Sequence, residues 1–510
     1  MWPEVPHLVG RLPAVRYRIA LTSAVAVVTL GILGTVSGPG WDPVPLTESI
    51  DVETPDTSIG GVSGTDPVGT YEVVTSQVTV ELAGATVEAQ ISEPVGAEGD
   101  RPGVVFVHGA GTGKFEDAFL QQAHALASAG IVAMVPNKRL DTYSTRTRDY
   151  PAMANDYLRS VQLLRGLPGV DEDRVGVYGE SEGSWVVPVM AADNPAVAFV
   201  VLVAAPVVQP RQQAAFAVDS YLRNTGVPVE VLRSIPRFVG MEFPGGGFEY
   251  TRFEVTPFQQ RMRQPVLVVY GTGDAAMPTV QGALQLVDDL TTAGNPDWTV
   301  RYYEGANHGI KVEGELVPDF ARDLSAWVHG LPESGHAAPR VAGDEPYQRF
   351  VASPVERPRW FAEGDLIVAA LGAALLAVLV GPVLWLVRRA RGRRERALAP
   401  GLIGPLTTMA AGAVLTLVLL VGYLLAVANL AQNYRTSTAL VQGGWLTVRL
   451  LGIAAVVAGV VLVYRILDGR RLRAEPAART VAGEWTLATG VGGAVVLLLS
   501  LAYWGVFPPV

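Results

Sequence analysis

The chain has 510 residues, 49% of them hydrophobic, with a formal net charge of −9, six histidines and no cysteine. Disulfides, thiolate metal sites and a cysteine nucleophile are excluded, and the acidic balance gives no support to nucleic-acid binding. The scattered histidines lack H-E-x-x-H or similar spacing, so no metal site is expected, and so apolar a chain of this length is searched first for membrane segments.

Residues 1–18 carry Arg11, Arg16 and Arg18 and lead into an apolar run over 19–37. A secretory leader opens in the same way, but its apolar core is shorter and ends in a small-residue cleavage site. This run is long enough to span a bilayer and no clear cleavage site follows, so it reads as an uncleaved signal anchor with a cytoplasmic N-terminus. Residues 38–70, rich in Pro, Gly, Thr and Asp and without an apolar period, read as a solvated linker.

An α/β rhythm then begins. Residues 77–82 and 86–91 alternate as an antiparallel hairpin. A buried strand at 104–107, a helix over 115–129, a strand at 131–135 and a helix over 150–166 follow. That last helix carries its apolar stripe on Met153, Tyr157, Val161 and Leu164. Strands at 175–178 and 199–203 continue the pattern, with a helix from Ser184 to about Ala192 between them. A longer insert intervenes at 207–264 and has the position of a cap. The rhythm resumes with a strand at 266–270, a helix over 280–290, a strand at 299–303 and a helix over 318–329. The predicted fold is α/β, a mostly parallel sheet with helices on both faces. Its bounds are about 71–331, and a second Pro-rich linker covers 332–364.

Residues 365–510 contain four long apolar runs, at 366–387, 402–431, 445–467 and 485–507, each sufficient to cross a membrane. The loop after the first holds Arg388, Arg389, Arg391, Arg393, Arg394 and Arg396; the loop after the third holds Arg470, Arg471, Arg473 and Arg479. The loop after the second holds only Arg435. By the positive-inside rule both arginine-rich loops are cytoplasmic, which puts residues 39–364 outside the cell membrane. Apart from Arg449 and Arg465, near the two ends of the third run, the runs lack the ionisable groups that ion and proton pathways use, which argues against transport.

Candidate chemistry gathers at the predicted strand ends. Gly179-Glu-Ser-Glu-Gly183 follows a strand and opens a helix, the context of a G-x-S-x-G nucleophile elbow with Ser181 at its apex. A strand that reverses at once into a helix leaves no room for a Cβ two residues either side of the serine. Ser184 is expected to cap or pack within the helix. Val107-His-Gly-Ala-Gly111 is a small-residue turn after a buried strand, where the N–H of Ala110 could meet that of Glu182 as an oxyanion hole. Asp274 lies just past one strand and His308, in Gly305-Ala-Asn-His-Gly309, past the next. The chain order Ser…Asp…His makes Ser181, Asp274 and His308 the candidate triad.

On these motifs, residues of about 71–331 resemble the α/β-hydrolase superfamily, and within it the dienelactone-hydrolase and serine-aminopeptidase-like serine hydrolases. The D-x-R-G-x-G-x-S stretch of those groups appears only as Asn137-Lys-Arg-Leu-Asp-Thr-Tyr-Ser144, without its glycines. The resemblance implies acyl transfer through an acyl-enzyme, with no cofactor and no metal. The expected substrate is a small-molecule or lipid-like acyl ester, and the expected neighbour is the lipid bilayer. A peptidase or acyltransferase of the same fold stays open, as does a non-catalytic membrane scaffold or transporter-associated binding domain. Oligomeric state is not legible. The aromatic residues of the insert, among them Phe216, Tyr221, Phe238, Phe243, Phe248, Tyr250, Phe253 and Phe258, line either an acyl pocket or the cap's own core.

Overall fold

The computed structural model describes residues 11–60, 62, 66–144, 148–245, 248–433, 435–473 and 476–508. The chain divides into two compact units. One combines residues up to Asp42 with Val218–Gly246 and Val355–Val510; the other combines Pro43–Ala217 with Gly247–Pro354.

The first element, helix α1 (Arg11–Ser37), belongs to the helical unit. The α/β unit begins with an antiparallel hairpin, β1 (Val73–Leu82) and β2 (Ala85–Pro94), closed by a two-residue turn in which Gly84 takes φ +79. β3 (Arg101–Val107), β4 (Val132–Pro136), β5 (Val170–Glu180) and β6 (Val200–Val203) follow. Helices α2 (Leu120–Ser128), α3 (Tyr150–Arg165) and α4 (Gly183–Ala191) alternate with them.

After α5 (Pro210–Asn224), α6 (Val229–Leu232), α7 (Ser234–Val239) and α8 (Thr256–Gln259), the sheet resumes with β7 (Val266–Gly271) and β8 (Trp298–Tyr303), separated by α9 (Thr279–Thr292). A small hairpin of β9 (Lys311–Val312) and β10 (Glu315–Leu316) precedes α10 (Pro318–His329), and β11 (Val341–Gly343) closes the sheet. The strand order is β1-β2-β4-β3-β5-β6-β7-β8-β11, and every pairing from β4 to β11 is parallel.

Parallel strands covered on both faces must be apolar throughout. Val104 to Val107, Val200 to Val203 and Val266 to Tyr270 are accordingly all buried. α3 shows how local chemistry sets a boundary: the Asp149 carboxylate accepts from Ala152 N–H at 3.0 Å, a cap worth about 1 kcal/mol, and Pro151 sits in the first turn. Its buried face is the expected one, with Met153, Tyr157, Val161 and Leu164 against the sheet.

Three expectations are corrected here. The helix over 115–129 is broken: a short 3₁₀ turn at Phe115–Asp117 precedes α2, and Phe119 between them adopts φ +64. Apolar spacing cannot reveal such a break. Neither flanking segment is only a solvated linker. Residues of 332–364 supply β11, parallel to β8, while Thr54 bridges Ala342 and the Arg301 guanidinium donates to the carbonyls of Thr57 and Ser58. Finally, the insert at 207–264 is not one cap, because its middle, Val218–Gly246, belongs to the helical unit.

The helical unit adds α11 (Gly364–Ala390), α12 (Ile403–Gln432), α13 (Gly444–Arg473) and α14 (Val481–Tyr503) to α1. Among the described residues, five helices are long and apolar enough to cross a membrane, over Arg16–Ser37, Gly364–Ala390, Ile403–Gln432, Ala439–Arg471 and Val481–Tyr503. Their packing uses small residues: a Cβ on Gly34 of α1 would meet Ala502 O of α14, and one on Gly493 would lie 2.6 Å from Ala374 O of α11. Arg449, one of two arginines in the third apolar run, pairs with Glu230 at 3.3 Å.

Candidate active site

β5 ends at Glu180 and α4 begins at Gly183, so the chain reverses within two residues. Ser181 occupies the reversal at φ +57, a left-handed conformation that costs a non-glycine residue roughly 1–3 kcal/mol. Surrounding bonds hold it there. Ser181 N–H donates to Val203 O at 3.0 Å, and the Ser184 hydroxyl donates to Gly179 O at 2.8 Å. A Cβ on Gly179 would sit 2.7 Å from Gly183 O, and one on Gly183 would sit 2.3 Å from Val107 O. Both positions therefore require glycine.

The turn after β3 lies against this elbow, since a Cβ on Gly109 would approach Ser181 Cβ to 3.1 Å. The N–H groups of Ala110 and Glu182 have no acceptor among the described residues. Two uncommitted amides beside a nucleophile are what stabilisation of a developing oxyanion needs. His108 props the turn from behind. Its Nε2 is 2.9 Å from Pro136 O and its Nδ1 3.3 Å from the Thr112 hydroxyl. Burial first, then the Lys138 charge, hold its pKa down to about 4, so the ring stays neutral.

Asp274 and His308 come from the loops after β7 and β8, which touch so closely that Cβ atoms on Gly271 and Gly273 would meet Ala306 O and Gly305 O. Asp274 is aimed by its own turn, Oδ1 accepting from Ala276 N–H at 2.8 Å. Its Oδ2 accepts from His308 Nδ1–H at 2.8 Å, with the carboxylate fully buried and the imidazole one-third exposed. Burial pulls the imidazole pKa down, but attraction to Asp274, the hydrogen bond and the nearby Glu180 outweigh it and raise the value to about 9. Asp274 and His308 are thus joined by a hydrogen bond; Ser181 Oγ makes none with His308 or any other described residue. In free enzymes that contact is often long and tightens with substrate bound.

The two glutamates beside Ser181 have side-chain surroundings that sequence reasoning missed. Glu182 is buried, and four donors reach it: Lys138 Nζ at 3.1 Å and Tyr143 OH at 2.7 Å on one oxygen, Arg148 at 3.1 Å and Tyr150 OH at 3.3 Å on the other. Lys138 also donates to Gly109 O at 2.6 Å, tying the turn that carries Ala110 to the residue that carries the second amide. Burial lowers the Lys138 pKa and Glu182 opposes that shift. Glu180 points the other way, accepting from Tyr178 OH at 3.4 Å; burial raises its pKa, opposed by His308. A signal for the first cluster was present. An acidic residue next to a buried strand needs a partner, and Lys138 lies two residues past the buried β4.

A cavity of about 260 Å³ opens over Ser181. Trp185, Pro206, Ala214 and Met277 form apolar wall, Ala110 and Arg148 border it, and Phe248, Glu249 and Tyr250 close one side. Of the aromatic residues of the insert, Phe248 and Tyr250 line this space, whereas Phe253 and Phe258 pack into the core of the α/β unit. Phe238 is exposed and Phe243 packs beside Gly364 in the helical unit.

A family model described as the prolyl oligopeptidase family matches residues 118–331, which includes the elbow and both later loops. The α/β unit is a serine hydrolase of the α/β-hydrolase type. No curated protein sequence matches the chain. Solved structures similar to this hydrolase include an esterase from Pyrobaculum calidifontis, with 18% identity, TM-score 0.38 and coverage of 51% of this chain and 84% of that one. Est1E from Butyrivibrio proteoclasticus shares 15% identity at TM-score 0.35, covering 50% of this chain and 98% of its own. Dipeptidyl peptidase 4 from Porphyromonas gingivalis shares 18% identity at TM-score 0.37, covering 50% of this chain but 35% of its own. The hydrolase chain thus spans about a third of that peptidase.

Proposed function

We propose that this membrane protein is an extracytoplasmic serine hydrolase that cleaves an acyl ester through an acyl-enzyme on Ser181. The observation that carries the reading is the apolar cavity over Ser181, bordered by the two uncommitted amides of Ala110 and Glu182. His308 takes the Ser181 proton as Oγ attacks the carbonyl carbon. Asp274 holds the imidazole in the tautomer with Nδ1–H and stabilises its cation. The amides of Ala110 and Glu182 receive the oxyanion, His308 returns the proton to the leaving alcohol, and water then resolves the acyl-enzyme. The sequence-level topology places residues 39–364 outside, with the arginine-rich loops inside. Packing of α1 against α13 and α14, including Thr22 Oγ1 3.0 Å from Tyr464 OH, supports retention of the first helix.

A second reading is a peptidase that recognises a free N-terminal ammonium. It is favoured by Glu249, an exposed carboxylate in the wall of the same cavity. The test is turnover by the full-length protein of p-nitrophenyl esters of rising acyl length beside aminoacyl-p-nitroanilides, with Ser181→Ala as the blank. Ester turnover that Ser181→Ala abolishes and Glu249→Gln leaves unchanged supports the ester reading. Preference for unblocked aminoacyl anilides, lost in Glu249→Gln, replaces it with the peptidase; no Ser181-dependent turnover of either class contradicts both.

A further inference from the structure

We propose that the arginine-rich end of the helical unit holds an anionic phospholipid in a cleft between α11, α12 and α14. α14 packs against both α11 and α12, and between them lies a cavity of about 660 Å³. That is within the ~300–1,000 Å³ range of small-molecule sites. Its depth is apolar, with Val378, Leu384, Leu406 and Ala410 among the lining residues. Two hydroxyls in the wall are already committed, Thr407 donating to Ile403 O at 2.8 Å and Thr486 to Ala482 O at 2.7 Å.

Charge is confined to one end. Arg388, Arg389, Arg393, Arg394 and Arg396 line the cavity there, against the single acid Glu395. Arg388 donates to the Glu395 backbone carbonyl at 3.3 Å, and the Arg389 guanidinium lies 5.5 Å from the centre of the Trp385 ring. Arg393, Arg394 and Arg396 are exposed and have no side-chain hydrogen bond or ion pair among the described residues, not even with Glu395. Three uncommitted guanidinium forks above an apolar slot match a phosphate with an acyl chain attached. Arginine suits phosphate because its planar donors engage two oxygens at once. A basic pocket between membrane helices is the known physical form of such a site. Surface potential alone accounts for arginines near a membrane, but not for their enclosing a cavity.

The experiment is native mass spectrometry of the full-length protein with phosphatidylglycerol and phosphatidylcholine of equal chain length. The wild type is expected to retain phosphatidylglycerol about tenfold over phosphatidylcholine, on the order of what several basic contacts supply. Arg393→Gln/Arg394→Gln should remove most of that preference. Arg470→Gln/Arg471→Gln deletes equal charge outside the cavity and should leave it intact. Ala411→Trp, on the lining, should weaken retention with every arginine present. Equal retention of both lipids by the wild type overturns the site. So does an equal loss in the Arg470/Arg471 variant, which would mean diffuse surface charge, or displacement of the lipid by inorganic phosphate alone, which would mean a bare anion site.

Discussion

The two flanks of Ser181 carry the same side chain in opposite surroundings. On one flank Glu182 is surrounded by two cations and two phenols, a closed set of donors that ties Lys138, Arg148, Tyr143 and Tyr150 to the elbow. On the other, Glu180 has one phenol at 3.4 Å and acts on the charge of His308, the base of the proposed mechanism. Their surroundings divide the labour in a way that the near-palindrome Gly-Glu-Ser-Glu-Gly conceals. The Glu182 flank holds geometry, and the Glu180 flank tunes a pKa. Each can be broken separately.

The largest effect is expected from the residue between them. Ser181→Ala should lower kcat/KM by about 10⁶ while circular dichroism and melting temperature stay near wild type. Asp274→Asn should cost about 10⁴, because the amide favours the wrong imidazole tautomer. It should also shift the acidic limb of the pH–rate profile downward, since the attraction that raises His308 is gone. On the holding flank, Glu182→Gln leaves Lys138 and Arg148 facing a neutral amide. Breaking a buried pair in this way should destabilise the fold by about 3–5 kcal/mol in urea unfolding. Adding Lys138→Met should recover much of that loss.

On the tuning flank the effects are smaller and depend on pH. In the proposed mechanism the neutral imidazole is the base, so kcat/KM should climb through a limb near pH 9. Stability runs in the opposite sense. A histidine whose folded pKa lies above its unfolded value of about 6.5 contributes fully below that pH and loses its contribution as pH rises toward 9. Activity should therefore rise across the interval in which the His308–Asp274 contribution to the melting temperature fades. Glu180→Gln should have the smallest effect, moving the limb down by less than about one unit, because one carboxylate is removed while Asp274 remains. A Glu180→Gln loss of stability as large as that of Glu182→Gln would dissolve the distinction between the flanks.

Much of the fold was legible because buried parallel strands leave a strong mark: continuous apolar runs such as Val200 to Val203, separated by helices with a regular stripe. α10 illustrates this, its expected span of 318–329 being the observed one. β11 was not legible. Three residues, Val341–Gly343, set in a Pro-rich segment, carry no periodicity, and their place follows from pairing with β8 alone. The division of the insert was hidden for a similar reason. Polar contacts such as Gln442 to Gly226 O at 2.9 Å and Gly245 N–H to Asp365 at 2.6 Å join residues more than a hundred positions apart. At the site, main-chain demands were readable from the glycines. The Lys138–Glu182 pair was not, because its partners are separated by 44 residues and meet only through the loop after β4.

The proposed function requires Ser181 to be a nucleophile activated by His308, and fluorophosphonate modification of the full-length protein tests that most directly. The predicted result is one adduct per chain, mapped by peptide mass spectrometry to the segment carrying Ser181, with a labelling rate that rises toward pH 9 and collapses in His308→Ala. A folded wild-type protein that takes no adduct, or takes it on Ser184 or another serine, would contradict the account.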